Sequence, residues 1–419
     1  MRESNSTELF VRPTNSLSTP KLYGLTALAL KLSVIGAGGV GQVIAGHLAR
    51  AGAAVKVGDI DRSRLSEVKK SCSGKVKALR LDAGSPSHVG RMIRGSDVVI
   101  NASHPRFNKL IMQQAFKKKV NYMDLASYDP PGLAAQFGRD PAWSKRGILA
   151  VVTMGEDPGL SNVLARRGTD MLDRVSEIRV RDGETSTSES YPFVALFAPD
   201  VFLEEAASPA HYFEGGEMKT APPMSGREVY PFPQPIGDVP VYSMDHEEVH
   251  TLPLYLPKKP SYVDFKLALT DDAASAIKLF HGIGLLGRKP LQVGKARVSP
   301  MSVLLNLLPP PAKIAGKIRG NAGILVEVKG EAAGAQYVCK LYATMSHDEA
   351  FEKHRTNATS YLTGTPAAVC ALMIAEGRIQ KRGVIAPECL DAESFIEKAK
   401  EFDIRVEIEK VRLKSRFFG

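Results

Sequence analysis

One stretch constrains the fold more than any other: Lys31 to Asp61, KLSVIGAGGVGQVIAGHLARAGAAVKVGDID. A short apolar run, Leu32 to Ile35, leads into Gly36-Ala37-Gly38-Gly39-Val40-Gly41, a G-x-G-x-x-G. A helical pattern follows, with Val40, Ile44, His47 and Leu48 on one face, and Gly52 closes it. A second apolar run, Ala54 to Gly58, ends on Asp59. Strand, glycine turn, helix, strand and acid in this order predict a dinucleotide-binding βαβ unit. Gly36 makes the tight turn, Gly38 lets the backbone approach a pyrophosphate, and Gly41 lets the helix lie close on the strand. The helix start adds unpaired N–H groups and a positive dipole end.

The same alternation continues. A polar helix is expected from Arg62 to Ser71 and a third strand from Val76 to Leu81, ending on Asp82. Asp97 to Asn101 reads as a fourth strand, almost continuously apolar, as a strand buried on both faces should be. His104 to Phe116 reads as a helix, Val120 to Asp124 as a fifth strand and Ile148 to Val152 as a sixth. Regular alternation predicts a doubly wound parallel sheet whose ligands lie at the carboxyl ends of the strands. Those ends carry Gly36, Asp59-Ile60 with Arg62, Asp82-Ala83, Asn101-Ala102-Ser103, Asp124 and Thr153. Asp59 is placed to accept from adenosine ribose hydroxyls, and its charge repels a 2′-phosphate, so NAD is the expected cofactor. Arg62 is the feature that would accommodate NADP. The competing readings are a helix cap for Asp59 and a solvated side chain for Arg62.

Composition narrows the class. Hydrophobic content of 44% and charged content of 24% are those of a globular protein. The net charge of +10 is spread along the chain without aromatic interleaving, so it suits an anionic cofactor better than nucleic acid, and no nucleic-acid partner is expected. Cys72, Cys339, Cys370 and Cys389 stand far apart, which points to a reducing, cytoplasmic setting rather than disulfides or zinc. No apolar run reaches the roughly 18–20 residues of a membrane span, so no membrane partner is expected. Residues 1–30, rich in Ser and Thr, read as a poorly ordered extension.

From Gly155 the texture changes. Asp157-Pro158-Gly159 opens a helix at Leu160, and Val175 to Arg181 reads as a strand. Residues 183–260 are rich in Pro, Gly and aromatics. Val263 to Leu269 reads as a strand, Ala322 to Lys329 and Gln336 to Tyr342 as an antiparallel hairpin, and Thr365 to Ala375 as an apolar helix beginning after Gly364. The expected fold class is α/β: a Rossmann domain over 31–153, a mixed α/β substrate domain over 154–350, and a C-terminal segment over 351–419.

Taken in order, VIGAGGVG (34–41), DVVINASHPRFN (97–108), YMDLAS (122–127), GEDPGLSN (155–162), REVYPFPQPIG (227–237), HEEVHTLP (246–253), TGTPAAVCALMIAEG (363–377) and GVIAPE (383–388) resemble the saccharopine dehydrogenase family. The resemblance covers nearly everything from Lys31 to Arg405. It implies a nicotinamide-dependent oxidoreductase acting on the C–N bond of a small-molecule amino-acid substrate in lysine metabolism. Lysine 6-dehydrogenase and carboxynorspermidine dehydrogenase are the alternatives within the family, and a non-catalytic dinucleotide-binding regulator is the alternative outside it. The resemblance further implies a homodimer, a dimerisation sheet in the second domain, C-terminal helices that return to the Rossmann domain, and a substrate facing Ser103, Asp124, Ser127 and the Asp157-Pro158-Gly159 loop.

Oxidising a C–N bond requires a neutral amine, so a base must take the ammonium proton. Asp124 and His104 are the expected catalytic residues, with Glu156 behind them; the competing reading for each of the first two is a cap on the segment that follows it. Arg227 is the candidate for a substrate carboxylate, because its planar fork suits bidentate pairing, with a surface arginine as the competing reading. His246-Glu247-Glu248-Val249-His250 matches H-E-x-x-H, but Pro240 upstream and Pro253 downstream suggest extended chain. In a strand the two histidines stand more than about ten ångströms apart, at about 3.3 Å per residue. No metal is therefore expected.

Overall fold

The computed structural model describes residues 30–413 other than Tyr128, Pro192 and Pro310. The expected N-terminal extension lies outside the described residues. The first half runs β1 (Lys31–Ile35), α1 (Gly39–Arg50), β2 (Ala54–Asp59), α2 (Arg62–Ser71), β3 (Val76–Arg80), α3 (Pro86–Met92), β4 (Val98–Asn101), α4 (Asn108–Lys118), β5 (Asn121–Asp124), α5 (Pro130–Phe137), α6 (Asp140–Arg146) and β6 (Leu149–Val151). The second half follows with α7 (Leu160–Asp170), β7 (Arg174–Glu184), α8 (Pro199–Ala207), β8 (Ala210–Glu214), β9 (Glu217–Ala221), β10 (Glu228–Pro231), β11 (Asp238–Ser243), α9 (Glu247–Tyr255) and β12 (Tyr262–Ala268). An excursion contains α10 (Asp271–Gly282), β13 (Leu291–Val293), β14 (Ala296–Val298), α11 (Pro300–Leu307) and α12 (Pro311–Ile314), before β15 (Asn321–Ala332) and β16 (Ala335–Ser346). The chain closes with α13 (His347–His354), α14 (Ala358–Ala375), β17 (Gly383–Ile385), α15 (Ala392–Lys400) and β18 (Glu407–Arg412).

Two sheets result. The first has order β17-β6-β5-β4-β1-β2-β3, and its registered pairs are parallel, with the switch between β1 and β4. Its central strands are buried on both faces, which explains their largely apolar sequence. The second has a spine β10-β11-β12-β7-β15-β16-β18, with the β8–β9 hairpin hung on β12. The long β15–β16 hairpin pairs from Asn321↔Ser346 to Ala332↔Ala335, extending the predicted one at both ends.

The C-terminal segment returns to both sheets. β17 adds to β6, α14 packs along α1, and β18 completes the edge beyond β16. α14 is longer than its sequence suggested. Asn357 caps it, its side-chain Oδ1 accepting from the Ser360 N–H at 2.7 Å, so Pro366 lies inside the helix rather than in its first turn. Tertiary burial outweighs the lost backbone bond: α14 is apolar all round and buried on nearly every face. It has the 18 residues and mean hydropathy (1.3) of a candidate membrane span, yet 89% of it is buried inside the protein, as in a core helix.

Candidate active site

The glycine turn has the shape a dinucleotide requires. Gly36 holds φ +108°, and a Cβ there would strike the Ala102 carbonyl oxygen at 2.4 Å. A Cβ on Gly41 would strike the Gly36 carbonyl oxygen at 2.1 Å, which packs α1 against β1. Gly38, the residue before α1, is different: nothing lies within 4 Å of its Cβ position. Open space therefore faces the helix N-terminus, where a pyrophosphate would approach the backbone of Gly38, Gly39 and Val40. Asp59 is 8% exposed, and its carboxylate accepts from the Ala37 N–H at 2.7 Å and the Asp61 N–H at 2.9 Å. The strand-end acid thus fixes the turn itself. Ile60 is 61% exposed beside it, and Arg62 is exposed at the start of α2. Asp82, also exposed, accepts from the Gly84 N–H, and Ala83 is half-buried next to it.

The loop after β4 is built around Asn101, which is 1% exposed. Its oxygen accepts from the Ser103 N–H at 3.0 Å and Oγ at 2.5 Å, and its amide donates to Asn108 Oδ1 at 2.7 Å. Ala102 and Ser103 are thereby held against the glycine turn, at the switch point where the cofactor crevice of this sheet lies.

Asp124 differs from expectation. It is 1% exposed, and its oxygens accept from the Tyr122 hydroxyl at 2.8 Å, Gln136 Nε2 at 2.6 Å and the Thr153 N–H at 2.7 Å. Burial pushes its pKa up to about 6 although those three donors pull the other way. Through these three donors the carboxylate ties β5 to α5 and to the residue pair after β6, and Glu247 adds to the upward push on its pKa. His104 also has partners. Its Nδ1 accepts from the Arg106 N–H at 3.1 Å, so Nε2 carries the ring proton and faces Asp200 Oδ2 at 3.4 Å. The side chain links the β4 loop to α8. Arg227 is exposed, and its fork is filled by the Asp271 carboxylate at 2.7 and 2.8 Å. The substrate-carboxylate expectation for Arg227 gives way to a surface ion pair.

A different set of carboxyl groups converges at the junction of the two sheets. Glu156, 2% exposed, and Asp157 follow β6; Asp182 and Glu184 end β7; Glu205 lies on α8; Glu247 and Glu248 open α9. Burial and neighbouring carboxylates raise the pKa of Glu156 and Asp157 far above the ordinary range. Asp157 keeps its proton and its O–H donates a hydrogen bond to Asp182, which burial and Glu184 push up to about 7. Burial likewise takes Glu205 to about 8. His246 is lodged among these acids. Burial disfavours its charge, but Glu248 (2.6 Å from Nδ1), Glu247 and Glu205 outweigh that and hold it protonated, with a pKa of about 10. Its ring stacks on Phe265 at 3.9 Å between centroids. Glu156 Oε1 is buried and has no hydrogen-bond partner among the described residues. Three expected residues do join this group: Glu156 and Asp157 directly, and Ser127 through its N–H bond to Glu247. Pro158 and Gly159 close the acid loop, with the Gly155 N–H donating to the Pro158 carbonyl at 2.7 Å.

The extended reading of HEEVH is corrected: α9 starts at Glu247, with His246 as its N-cap and Pro253 inside it. Val249 and Leu252 are fully buried, and that packing offsets the proline. The two histidines still do not form a protease pair. His246 faces Glu248 and Phe265, whereas His250 faces Asp245. A second apparent constellation is also inert. Ser186, His347 and Glu184 meet, but the Ala358 N–H donates to His347 Nδ1 at 3.1 Å. Nε2 therefore holds the ring proton and cannot take one from Ser186.

Sequence reasoning missed Asp182, Glu184, Glu205, Glu247, Glu248 and His246 as site residues. The HEEVH block was visible, but β7, α8 and α9 are brought together only by folding.

Comparison with known proteins agrees with this architecture. The family model described as saccharopine dehydrogenase NADP binding domain matches residues 32–151, and that described as saccharopine dehydrogenase C-terminal domain matches residues 155–403. Carboxynorspermidine synthase of Vibrio alginolyticus is 30% identical over 388 residues, covering 87% of this chain and 93% of the relative. Carboxyaminopropylagmatine dehydrogenase of a Synechocystis species is 26% identical over 385 residues, covering 89% and 96%. Among solved structures, apo saccharopine dehydrogenase (L-Glu forming) from Saccharomyces cerevisiae superposes with a TM-score of 0.68 at 16% identity, over 91% of this chain and all of that one; the likeness is one of fold. The chain belongs to the saccharopine dehydrogenase family of NAD(P)-dependent oxidoreductases.

Proposed function

We propose that the protein oxidises, or forms by reduction, the secondary amine of a carboxylated polyamine. The observation that carries this reading is the buried carboxyl cluster at the sheet junction, with the unpartnered Glu156 oxygen inside it. The acids outnumber their one cationic partner in the cluster, His246, so several raise their pKa and stay protonated; a ligand with several ammonium groups lets them ionise and pair. The relatives of matching length carry carboxynorspermidine and carboxyaminopropylagmatine in their names, which favours a polyamine over saccharopine or lysine.

The nicotinamide cofactor supplies or accepts the hydride. The chain's own residues do the rest. The turn from Gly36 to Gly41 and the α1 N-terminus hold the pyrophosphate, Asp59 takes the adenosine ribose, and Asn101 holds Ala102 and Ser103 at the crevice. The Asp157–Asp182 pair is the proton-transfer group. A carboxyl near pKa 7 is matched to removing a proton from an ammonium at neutral pH, and its partner keeps the displaced proton close. Asp124 and His104 become positioning residues. Asp59 supports NAD as the preferred form, with Arg62 as the route to NADP.

The test is turnover. NAD⁺ and NADP⁺ reduction is followed with carboxynorspermidine, saccharopine and lysine in parallel. The expected result is activity with the polyamine at least about tenfold above the other two in kcat/KM, and higher with NAD⁺ than with NADP⁺. Preference for saccharopine or lysine would defeat the polyamine assignment. Cofactor binding without turnover of any C–N substrate would favour a regulatory dinucleotide-binding protein. A homodimer and a cytoplasmic setting are part of the same proposal. Free thiols at all four cysteines, three of them buried, support a reducing compartment, and sedimentation of the full chain tests the dimer.

A further inference from the structure

His211, Asp245 and His250 form a second polar cluster, outside the carboxyl pocket. His211 stands on β8, Asp245 directly precedes the N-cap of α9, and His250 lies in the first turns of α9. β8 is fixed by pairing with β12, and α9 packs on both strands, so the scaffold and not the side chains sets this approach. His211 Nδ1 is 2.8 Å and His250 Nε2 3.3 Å from the same oxygen, Asp245 Oδ1. The two rings meet edge to face with centroids 5.2 Å apart, and the three donor atoms lie within 4.8 Å of one another. No donor among the described residues is directed at the second Asp245 oxygen, and the other nitrogen of each ring has no hydrogen-bond partner among them.

Two imidazoles crowded on one carboxylate oxygen admit a bland reading, in which each ring donates an N–H to Asp245. The spacing also suits a cation. Ligand atoms around a tetrahedral zinc, at bonds of about 2.0–2.1 Å, stand about 3.3–3.4 Å apart. Of the two edges through Asp245 Oδ1, one already has that length and the other needs to open by about half an ångström, while the edge between the two ring nitrogens is at most 4.8 Å. Each ring would exchange its inward proton for the metal. Two neutral nitrogens and one carboxylate leave a divalent ion with a single net positive charge, which water on the open side can solvate. The three side chains are 29%, 18% and 16% exposed, so the remaining coordination positions open to water.

We infer that His211 Nδ1, Asp245 and His250 Nε2 constitute a binding site for one divalent cation of the zinc class, pinning the β8–β9 hairpin to the start of α9. Imidazole donors select zinc, cobalt or nickel over magnesium and calcium, which prefer all-oxygen shells. The site lies one residue from His246 and so borders the carboxyl pocket, but its donors are separate from that pocket. The inference does not depend on which amine the enzyme uses.

The experiment uses the full-length protein, produced without a polyhistidine tag and stripped with a chelator. Cobalt(II) is titrated and its visible d–d bands are recorded; zinc is titrated by calorimetry, with magnesium as the control. The expected result is one cobalt or zinc per chain, competition of zinc for the cobalt bands, and no response to magnesium. His211→Ala and His250→Ala should each weaken zinc binding at least tenfold, while His281→Ala leaves it unchanged. Absence of one-to-one binding in the unmodified protein overturns the inference even if the variants fail to fold. Retention of full affinity in a folded His211→Ala/His250→Ala double variant overturns it as well. Zinc should also raise the melting temperature of the unmodified protein and leave that of the double variant unchanged; equal shifts in both would count against the site.

Discussion

Gly38 and Asp124 carry opposite lessons about single residues. Gly38 has ordinary backbone angles, φ −70° and ψ −172°, and open space where a side chain would go. Gly38→Val should therefore fold with an unchanged melting temperature and lose dinucleotide affinity by at least about a hundredfold, as read by fluorescence titration of NADH. Unchanged affinity in the folded variant would remove the turn from the cofactor site. Asp124 is the reverse case. Asp124→Ala leaves three buried donors without an acceptor and should cost at least about 3 kcal/mol in denaturant unfolding, since each stranded group costs about 1–3 kcal/mol. Asp182→Asn removes the proposed base while keeping its shape. It should lower kcat/KM for the amine about 10²–10⁴-fold and leave cofactor affinity and melting temperature nearly unaltered. If Asp124→Ala were the variant that stayed stable and lost only rate, the two roles would be exchanged. The places of Asp59 and the glycines were legible because they follow from position in a repeating βα pattern, and that of the 157–159 loop because the family resemblance marked it. The Asp157–Asp182 pairing was not, because its members approach only when β7 lies beside the β6 loop.

At the scale of elements, α14 shows how a distant segment controls the cofactor turn. It lies along α1, and Gly364 meets α1 so closely that a Cβ would fall 2.9 Å from the Val43 side chain and 3.0 Å from the Val40 carbonyl oxygen. His47 on α1 is buried against the same helix, with Nε2 3.0 Å from Thr365 Oγ1. Burial first, then Arg50 and His354, lower the His47 pKa to about 3, so the ring is neutral at this interface. Gly364→Val should push α1 away from α14, cost about 1–3 kcal/mol by overpacking, and weaken dinucleotide binding although residue 364 lies far along the chain from the turn. Thermal melts with and without NADH check both effects; a loss of stability with unchanged cofactor affinity would mean that α1 does not transmit the strain. α9 makes the complementary point. Its sequence holds a proline and reads as extended chain, yet its buried face, Val249 and Leu252, decides for a helix.

The whole molecule carries its buried acids as a pH dependence. Asp182 and Glu388 titrate near 7 and Glu205 near 8, raised first by burial, whereas the unfolded chain loses these protons near pH 4. The folded state therefore binds more protons between those values, and stability falls as pH rises through the folded pKa values. His47 acts oppositely below about pH 6.5, where the unfolded chain gains a proton that the buried ring refuses. Three carboxyls outweigh one imidazole, so the ligand-free protein should lose stability continuously from about pH 5 toward pH 8, as followed by calorimetry. A polyamine that pairs with the ionised cluster should raise the melting temperature more at pH 8.5 than at pH 6.5. Equal shifts at both values would separate ligand binding from the carboxyl protons.

The sequence by itself determined the parallel sheet, the glycine turn with its acid, and the long β15–β16 hairpin. Each depends on periodicity, glycine spacing or strand-end position within a few dozen neighbouring residues, and such signals are written locally. It determined the family as well, because the order of many short blocks is itself sequence information. Only the tertiary structure decided which acids meet, which histidines part company, and which predicted residues are already satisfied. Those outcomes depend on burial and on partners more than a hundred residues away: Ser127 with Glu247, Asn162 with Glu388, and His47 with Thr365. A carboxylate is a base, a strut or a cation's partner according to the donors around it, and those donors arrive from elements that only folding brings together.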